Sequence, residues 1–319
     1  MDNEIKVSII CNAYNHEKYI RDALDGFVMQ KTNFKFEVLI HDDASTDHTA
    51  DIIREYENEY PDIIKPIYSK ENQYSKKDGS LSRIQYGRAK GRYIAICEGD
   101  DYWTDPLKLQ KQYDAMEKHP EVDICAHAVN TVIANTKKII EEVAPKRKDT
   151  IIPVEEVILG GGGYVCTASL FYRADINKNQ PQFRKLMGLD YFLQIHGALR
   201  GGMLYLSDNM ACYRIASDGS WTSRMSDKPD QMNQHVDKMN RVLKQLDQDT
   251  EYKYTHAIQH IILRGKYKNL MRLDQYRQLK QLPYLEIYRQ EPIIEKLKIN
   301  LKIYFPFLME IKKKIRNRK

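Results

Sequence analysis

The chain has 319 residues, 42% of them hydrophobic, 29% charged and 10% aromatic, which supports one large core or a catalytic domain with a smaller appendage and excludes a disordered chain. The net charge of +6 is uneven: residues 293–319 carry +7 and the rest is nearly neutral. A near-neutral body excludes a nucleic-acid-binding domain, whose basic surface should lie on the folded part.

Residues 7–12 (VSIICN) form a short apolar run without alternation, as expected of a strand buried on both faces. A polar break (AYNHEKY) precedes a helical stretch that runs to about Gln30. Residues 36–41 (FEVLIH) predict a second buried strand, closed by Asp42-Asp43-Ala44-Ser45-Thr46-Asp47. Ser45, Thr46 or Asp47 can cap the next helix, to about Tyr60. Residues 64–68 predict a third strand, residues 82–90 a short helix ended at Gly91, and residues 92–97 (RYIAIC) a fourth strand. Glu98-Gly99-Asp100-Asp101 hangs from its end, and Pro106 suits the first turn of a helix that closes near His119-Pro120. This order implies an α/β fold with a mostly parallel, Rossmann-like sheet and flanking helices.

Further on, residues 123–133 and 138–143 predict a hairpin-like pair of strands, residues 153–159 a short helix, and residues 160–163 are four glycines. Residues 165–172 predict a strand, residues 190–199 a helix and residues 203–206 another strand. From about Asp227 the pattern is helical, polar and rich in Tyr, Gln and Lys, which predicts a domain change: residues 1–225, then a helical region 226–319. The five cysteines (Cys11, Cys97, Cys125, Cys166, Cys212) form no CxxC pair, so neither a zinc site nor a disulfide framework is expected. The start MDNEIKVSII does not read as a signal peptide, and the expected location is cytoplasmic.

Three acidic groups fall just past the carboxyl ends of apolar strands or before a helix: Asp42-Asp43, Glu98-x-Asp100-Asp101 and Asp190. Ligands of open α/β sheets bind outside those strand ends. Asp47 reads as a cap, the usual role of a loop Asp. Three carboxylates within four residues repel one another unless a cation is present. A hard divalent ion resolves that conflict, and Gly99 lets a ligand approach the backbone. Mg²⁺ or Mn²⁺ bridging a diphosphate fits the pattern. Ala13-Tyr14-Asn15 offers an aromatic face on which a base can stack, or a packing residue; Asp43 can accept a hydrogen bond from a base imide; Arg83 and Lys90 can reach phosphates, or be solvated.

VSIICNAYNHEKYIRDAL, FEVLIHDDASTDHTADII and AKGRYIAICEGDDYWTDPLKLQKQ, in this order and spacing, resemble glycosyltransferase family 2 with its GT-A fold, closely over the first 125 residues and loosely to about Ser223. EGDDYWTDP is similar to enzymes that assemble bacterial capsule or O-antigen. The resemblance implies a nucleotide-sugar half over residues 1–125 and an acceptor half over 126–225. It implies nucleoside contacts at Ala13, Tyr14 and Asp43, with Asp43 against a uracil, so that UDP is the favoured carrier. Glu98 and Asp100 would contact ribose or sugar, and Asp100 or Asp101 would hold the metal. Asp190, in MGLDY, matches the acceptor-side base; its alternative is an N-cap. YRIASDGSWT (213–222) resembles a flexible YRxH segment with Ala216 in place of His, leaving Arg214, Ser220 or Trp221 to contact the donor.

These residues imply an inverting, metal-dependent transfer of sugar from a nucleotide diphosphate to a glycan or lipid-linked acceptor. A sugar nucleotidyltransferase is one rival, weakened because NAYN stands where a Gly-rich basic loop should follow the first strand. A non-catalytic nucleotide-sugar-binding protein is the other. At the far end, residues 297–319 (LKINLKIYFPFLMEIKKKIRNRK) set an apolar stretch, too short to span a bilayer, beside a basic cluster. That combination predicts contact with the inner face of the cell membrane. The alternative is docking on the enzyme or a homodimer contact.

Overall fold

The structure, a computed structural model, describes residues 4–215, 217 and 229–305. The chain forms two compact units that divide between Lys228 and Pro229.

In the first unit, β1 (Ile5–Ala13), β2 (Lys35–Asp42), β3 (Ile64–Tyr68) and β4 (Tyr93–Ile96) are parallel and lie in the order β3-β2-β1-β4. Their apolar runs are continuous because both faces are covered. Helices α1 (Ile20–Val28), α2 (Thr49–Glu59) and α3 (Ser80–Arg88) make the connections. Helix α1 buries Ile20, Ala23, Leu24 and Phe27, the spacing of one helical stripe. A short β5 (Tyr102–Trp103) leads into α4 (Lys108–Lys118), then β6 (Ile124–Ile133) pairs antiparallel with β7 (Ile139–Val143). The unit is completed by β8 (Thr150–Ile152), α5 (Val154–Gly160), β9 (Phe171–Arg173), α6 (Gln182–Leu186), α7 (Asp190–Ala198) and β10 (Met203–Ile215). The sheet continues past β4 as β9-β6-β10-β5, with β9 antiparallel to both of its neighbours and β10 parallel to β6.

Two expectations need correction. Residues 165–172 are not one strand: a 3-10 turn occupies Thr167–Ser169 and the strand is Phe171–Arg173. Side chains take carbonyls that a strand neighbour would need, because Trp103 Nε1 donates to Ala168 O at 2.9 Å and Gln112 Nε2 to Ser169 O at 2.9 Å. The strand expected over 203–206 continues to Ile215. Its polar middle, Ser207-Asp208-Asn209, sits at register shifts against β6, where Asp149 accepts the Ser207 N–H and hydroxyl. A polar bulge of that kind breaks the apolar pattern without ending the strand.

The entry to β4 is locked by a buried polar pair. Ser8 donates to Glu37 Oε1 at 2.7 Å, and the N–H groups of Lys90 and Gly91 donate to Glu37 at 2.9 Å and Ser8 at 2.8 Å. Gly91 leaves no room: a Cβ there would meet Ser8 N at 2.4 Å and Val7 C at 2.6 Å.

The second unit is helical: α8 (Pro229–Asp249), α9 (Thr255–Arg272), a 3-10 turn at Tyr276–Lys280, α10 (Leu285–Gln290) and α11 (Ile293–Tyr304). Tyr267, Tyr276, Leu279 and Ile299 form a small core there. Among the described residues, no helix is long and apolar enough to cross a membrane. The predicted tail residues beyond Phe305 lie outside the described residues.

Two glycines give a direct check on the packing. Gly91→Ala should lower unfolding free energy by about 3 kcal/mol, the upper end of overpacking costs. Gly87→Ala, in α3 with nothing within 4 Å of the added methyl, should be neutral or stabilising by up to about 1 kcal/mol. Urea denaturation of both variants measures this; equal effects would contradict the close approach at Gly91.

Candidate active site

The chain leaves β1 to build β2 and β3 on one side, then crosses to β4 on the other, so β1 and β4 flank a topological switch point. Main-chain bonds stitch the loops there: Asp43 N to Ala13 O at 2.8 Å, Cys97 N to Ile10 O at 3.1 Å and Gly99 N to Asn12 O at 2.9 Å. The structure thereby brings Ala13, Asp42, Asp43 and the Glu98–Asp101 loop to one end of the sheet.

Two turns at this end of the sheet are held in left-handed backbone, Asn15 at φ 55° and Ala44 at φ 63°. Asn15 joins them, donating its N–H to Ser45 Oγ at 3.0 Å and accepting Thr46 N–H at 2.8 Å. Ala44 carries real strain, since non-glycine residues adopt this region at a cost. Tyr14 is 43% exposed beside these turns. Asp47 accepts the N–H groups of Thr49 at 2.9 Å and Glu17 at 3.1 Å; it forms a turn just ahead of α2, whose N-cap position is His48, and so is not the cap expected of it. Asp42 is buried, its Oδ1 has no partner, and burial pushes its carboxyl up. Asp43 is also buried; its oxygens accept Gln73 N–H at 2.6 Å and Tyr74 N–H at 3.0 Å. Asp43 therefore fixes the 73–76 turn, a task that the sequence did not reveal.

The acidic loop is tied down by one cation. The Arg214 side chain is fully buried between the rings of Tyr102, 4.4 Å from its centroid, and Tyr19, at 5.2 Å. Its guanidinium donates to Asp100 O at 2.7 Å and pairs with Asp22, while its backbone N–H donates to Asp101 Oδ1 at 2.8 Å. Asp100 Oδ2 accepts the Ser217 hydroxyl at 2.8 Å. Burial, then the charge of Asp100, pushes the Asp101 carboxyl well up and that of Glu98 up to about 7.

Asp190 opens α7, at the edge of the same cluster. Its Oδ2 accepts the Thr167 hydroxyl at 2.5 Å and its Oδ1 the Tyr191 N–H at 2.7 Å. Burial raises its proton affinity, and its charge in turn raises that of Glu98. Thr167 and Ser217 were not singled out from sequence, because a hydroxyl in a loop carries no pattern of its own.

Three expected contacts are placed differently. Lys90 lies before β4, at the amino end of a strand whose carboxyl end bears the acids, so it does not reach them. Arg83 is 66% exposed and pairs with Asp78. Arg214 is no part of a flexible segment: it is strand residue, its guanidinium committed to Asp22 and Asp100. Ala216, Ser220 and Trp221 lie outside the described residues.

Among the described residues, no three His, Cys, Asp or Glu side chains form a ready cage for a metal. A divalent ion that is completed by substrate phosphates needs only one or two carboxylates. The mutual repulsion of Glu98, Asp100 and Asp101 in a buried loop is relieved by such an ion, so the donor set fits one.

The family model for glycosyl transferase family 2 matches residues 8–178, more than half of the chain. The chain belongs to this family. An uncharacterized protein of Mycobacterium tuberculosis is 38% identical over 228 residues, covering 70% of this chain; the match spans 62% of that relative's own length. The Escherichia coli UDP-Glc:alpha-D-GlcNAc-diphosphoundecaprenol beta-1,3-glucosyltransferase WfaP is 37% identical over 111 residues, 35% of this chain and 41% of WfaP. Among solved structures, Staphylococcus aureus TarS residues 1–349 in complex with UDP-GlcNAc superposes with a TM-score of 0.61 at 18% identity, covering 92% of this chain and 78% of that one. The chain thus has the GT-A fold, with its acidic loop at the switch point of the sheet.

The raised carboxyl at Glu98 has a measurable consequence. Its ordinary value is 4.5 and its folded value about 7, so ionising it costs folding energy. That cost is absent below the lower value, grows as pH rises through the window between the two, and persists above it. In EDTA, Glu98→Gln should therefore raise Tm relative to wild type more at pH 8 than at pH 5. An equal difference at both pH values would contradict the burial of this charge.

Proposed function

We propose that the chain is an inverting, metal-dependent glycosyltransferase that moves a sugar from a nucleotide diphosphate, UDP by preference, to a hydroxyl of a glycan or lipid-linked acceptor in bacterial surface-polysaccharide synthesis. The observation that carries this reading is the Glu98–Asp101 loop at the switch point of the sheet, with Asp190 held by Thr167 of the turn whose Ala168 carbonyl accepts from Trp103, two residues past that loop. A donor-side acid cluster and a separate carboxylate are what glycosyl transfer between two substrates requires. The donor and acceptor named for WfaP support the choice of UDP and of a lipid-linked acceptor. UDP-GlcNAc bound to TarS agrees with it.

Asp100 and Asp101 would hold Mg²⁺ or Mn²⁺ against the donor diphosphate. Bound there, the ion would act as a Lewis acid toward the charge that grows on the departing phosphate. On the donor side, Tyr14 offers a stacking face, Asn15 and Ala13 shape the base turn, and Asp43 together with the turn it holds borders the base. Glu98 and Asp100 take the ribose and sugar hydroxyls. On the acceptor side, Asp190 takes the proton of the attacking hydroxyl. Its burial raises its affinity for that proton, as suits a general base. Thr167 and the Tyr191 N–H hold its two oxygens in place. Attack from the acceptor face opposite the leaving diphosphate is a single displacement, with no enzyme nucleophile, and it inverts the anomeric carbon.

Asp190→Asn should lower kcat by about a thousandfold or more, the upper part of the range for general-base catalysis, with donor Kd little changed. Product NMR on the wild type should show inverted anomeric configuration. Near-normal turnover in the variant would leave Asp190 as a helix cap only, and a retained configuration would overturn the single-displacement mechanism.

A further inference from the structure

Helix α11 has two apolar faces, and the fold uses one of them. Ile299 is buried and Ile303 packs beside it, against the core of Tyr267, Tyr276 and Leu279. At 3.6 residues per turn, Ile293, Ile294, Leu297, Leu301 and Tyr304 project within an arc of about 100° on the far side of the helix. These five side chains are between 51% and 76% exposed. A surface helix normally turns one apolar stripe inward and polar residues to water. A second, contiguous stripe of five large side chains marks a surface that takes a partner.

Charge selects the partner. Lys298 borders the exposed stripe, and Lys296 and Lys302 lie on the same helix. Glu295, its only acid, is paired with Lys298. In sequence, Lys312, Lys313, Lys314, Arg316, Arg318 and Lys319 follow, and residues 293–319 carry +7. Two copies of so basic a segment repel when brought face to face. A polyanionic surface with an apolar interior beneath it satisfies both the stripe and the charge.

We propose that the exposed face of α11 docks on an anionic lipid surface. The helix lies in the plane of the interface, its five apolar side chains enter the headgroup–acyl boundary, and Lys296 and Lys298 meet lipid phosphates, while Lys302 stays with Tyr276 of the helical core. The surface belongs to the helical unit and does not depend on which sugar the catalytic unit transfers.

The test is co-sedimentation of the full chain with vesicles of phosphatidylcholine alone and of equal parts phosphatidylcholine and phosphatidylglycerol. The wild type should pellet with the anionic vesicles only, and added NaCl should weaken binding. Leu297→Glu with Leu301→Glu, which leaves every basic residue in place, should lower partitioning at least about tenfold with Tm unchanged. If that variant loses stability, Ile293→Ser with Ile294→Ser, in the first turn, provides the same reading. Undiminished binding by a stable variant would overturn the proposal. So would failure of the wild type to bind anionic vesicles, including the case in which light scattering shows a dimer that the variants abolish.

Discussion

The carboxyl end of the sheet depends on a buried cation placed under a loop of acids, of which Asp101 is buried and Glu98 and Asp100 are half-buried. Three carboxylates in four residues cannot all ionise in a partly dry loop without opposing charge. Arg214 supplies a fixed part of it, from β10, with one hydrogen bond to the Asp100 carbonyl, an ion pair to Asp22 and a backbone N–H to Asp101. The rings of Tyr19 and Tyr102 enclose the guanidinium, which strengthens these contacts by excluding water. Arginine suits this place because its planar fork meets several acceptors at once. The charge that Arg214 leaves unbalanced is what a divalent ion and a diphosphate would complete.

A second line of contacts joins that loop to the acceptor side. Trp103 follows the acidic residues directly, and its indole N–H holds the Ala168 carbonyl. Lys108 sits 3.9 Å from the Trp103 ring centroid and donates to Gln112 Oε1, while Gln112 holds the Ser169 carbonyl. The 3-10 turn fixed in this way carries Thr167, and Thr167 holds Asp190. The acidic loop and Asp190 are therefore joined by one continuous set of contacts. Burial pushes Lys108 down to about 7, a sign of how little water reaches this support.

Much of this was legible in the sequence, for physical reasons. The four parallel strands announce themselves because strands covered on both faces must be apolar throughout, and the acids at their ends stand out against that background. Asp190 was visible through resemblance rather than pattern, since a single acid before a helix also reads as a cap, and here it does accept a first-turn N–H. The rest depended on distant partners. β5 has two residues and β8 three, too few to show a period. The polar bulge at Ser207-Asp208-Asn209 hid the length of β10, and with it the burial of Arg214. Lys90 reads as a phosphate ligand from its charge alone, although its place before β4 already puts it at the amino end of that strand.

Arg214 clamps the acidic loop through its guanidinium and its backbone N–H. The direct measurement is calorimetric titration of UDP, at saturating Mn²⁺, into wild type and Arg214→Met, with circular dichroism to confirm that both are folded. The account predicts a folded variant whose affinity for UDP falls at least about tenfold, because a hydrogen-bonded charge has been removed from beneath the acids that meet the ligand. A folded variant that binds UDP as tightly as the wild type would contradict it.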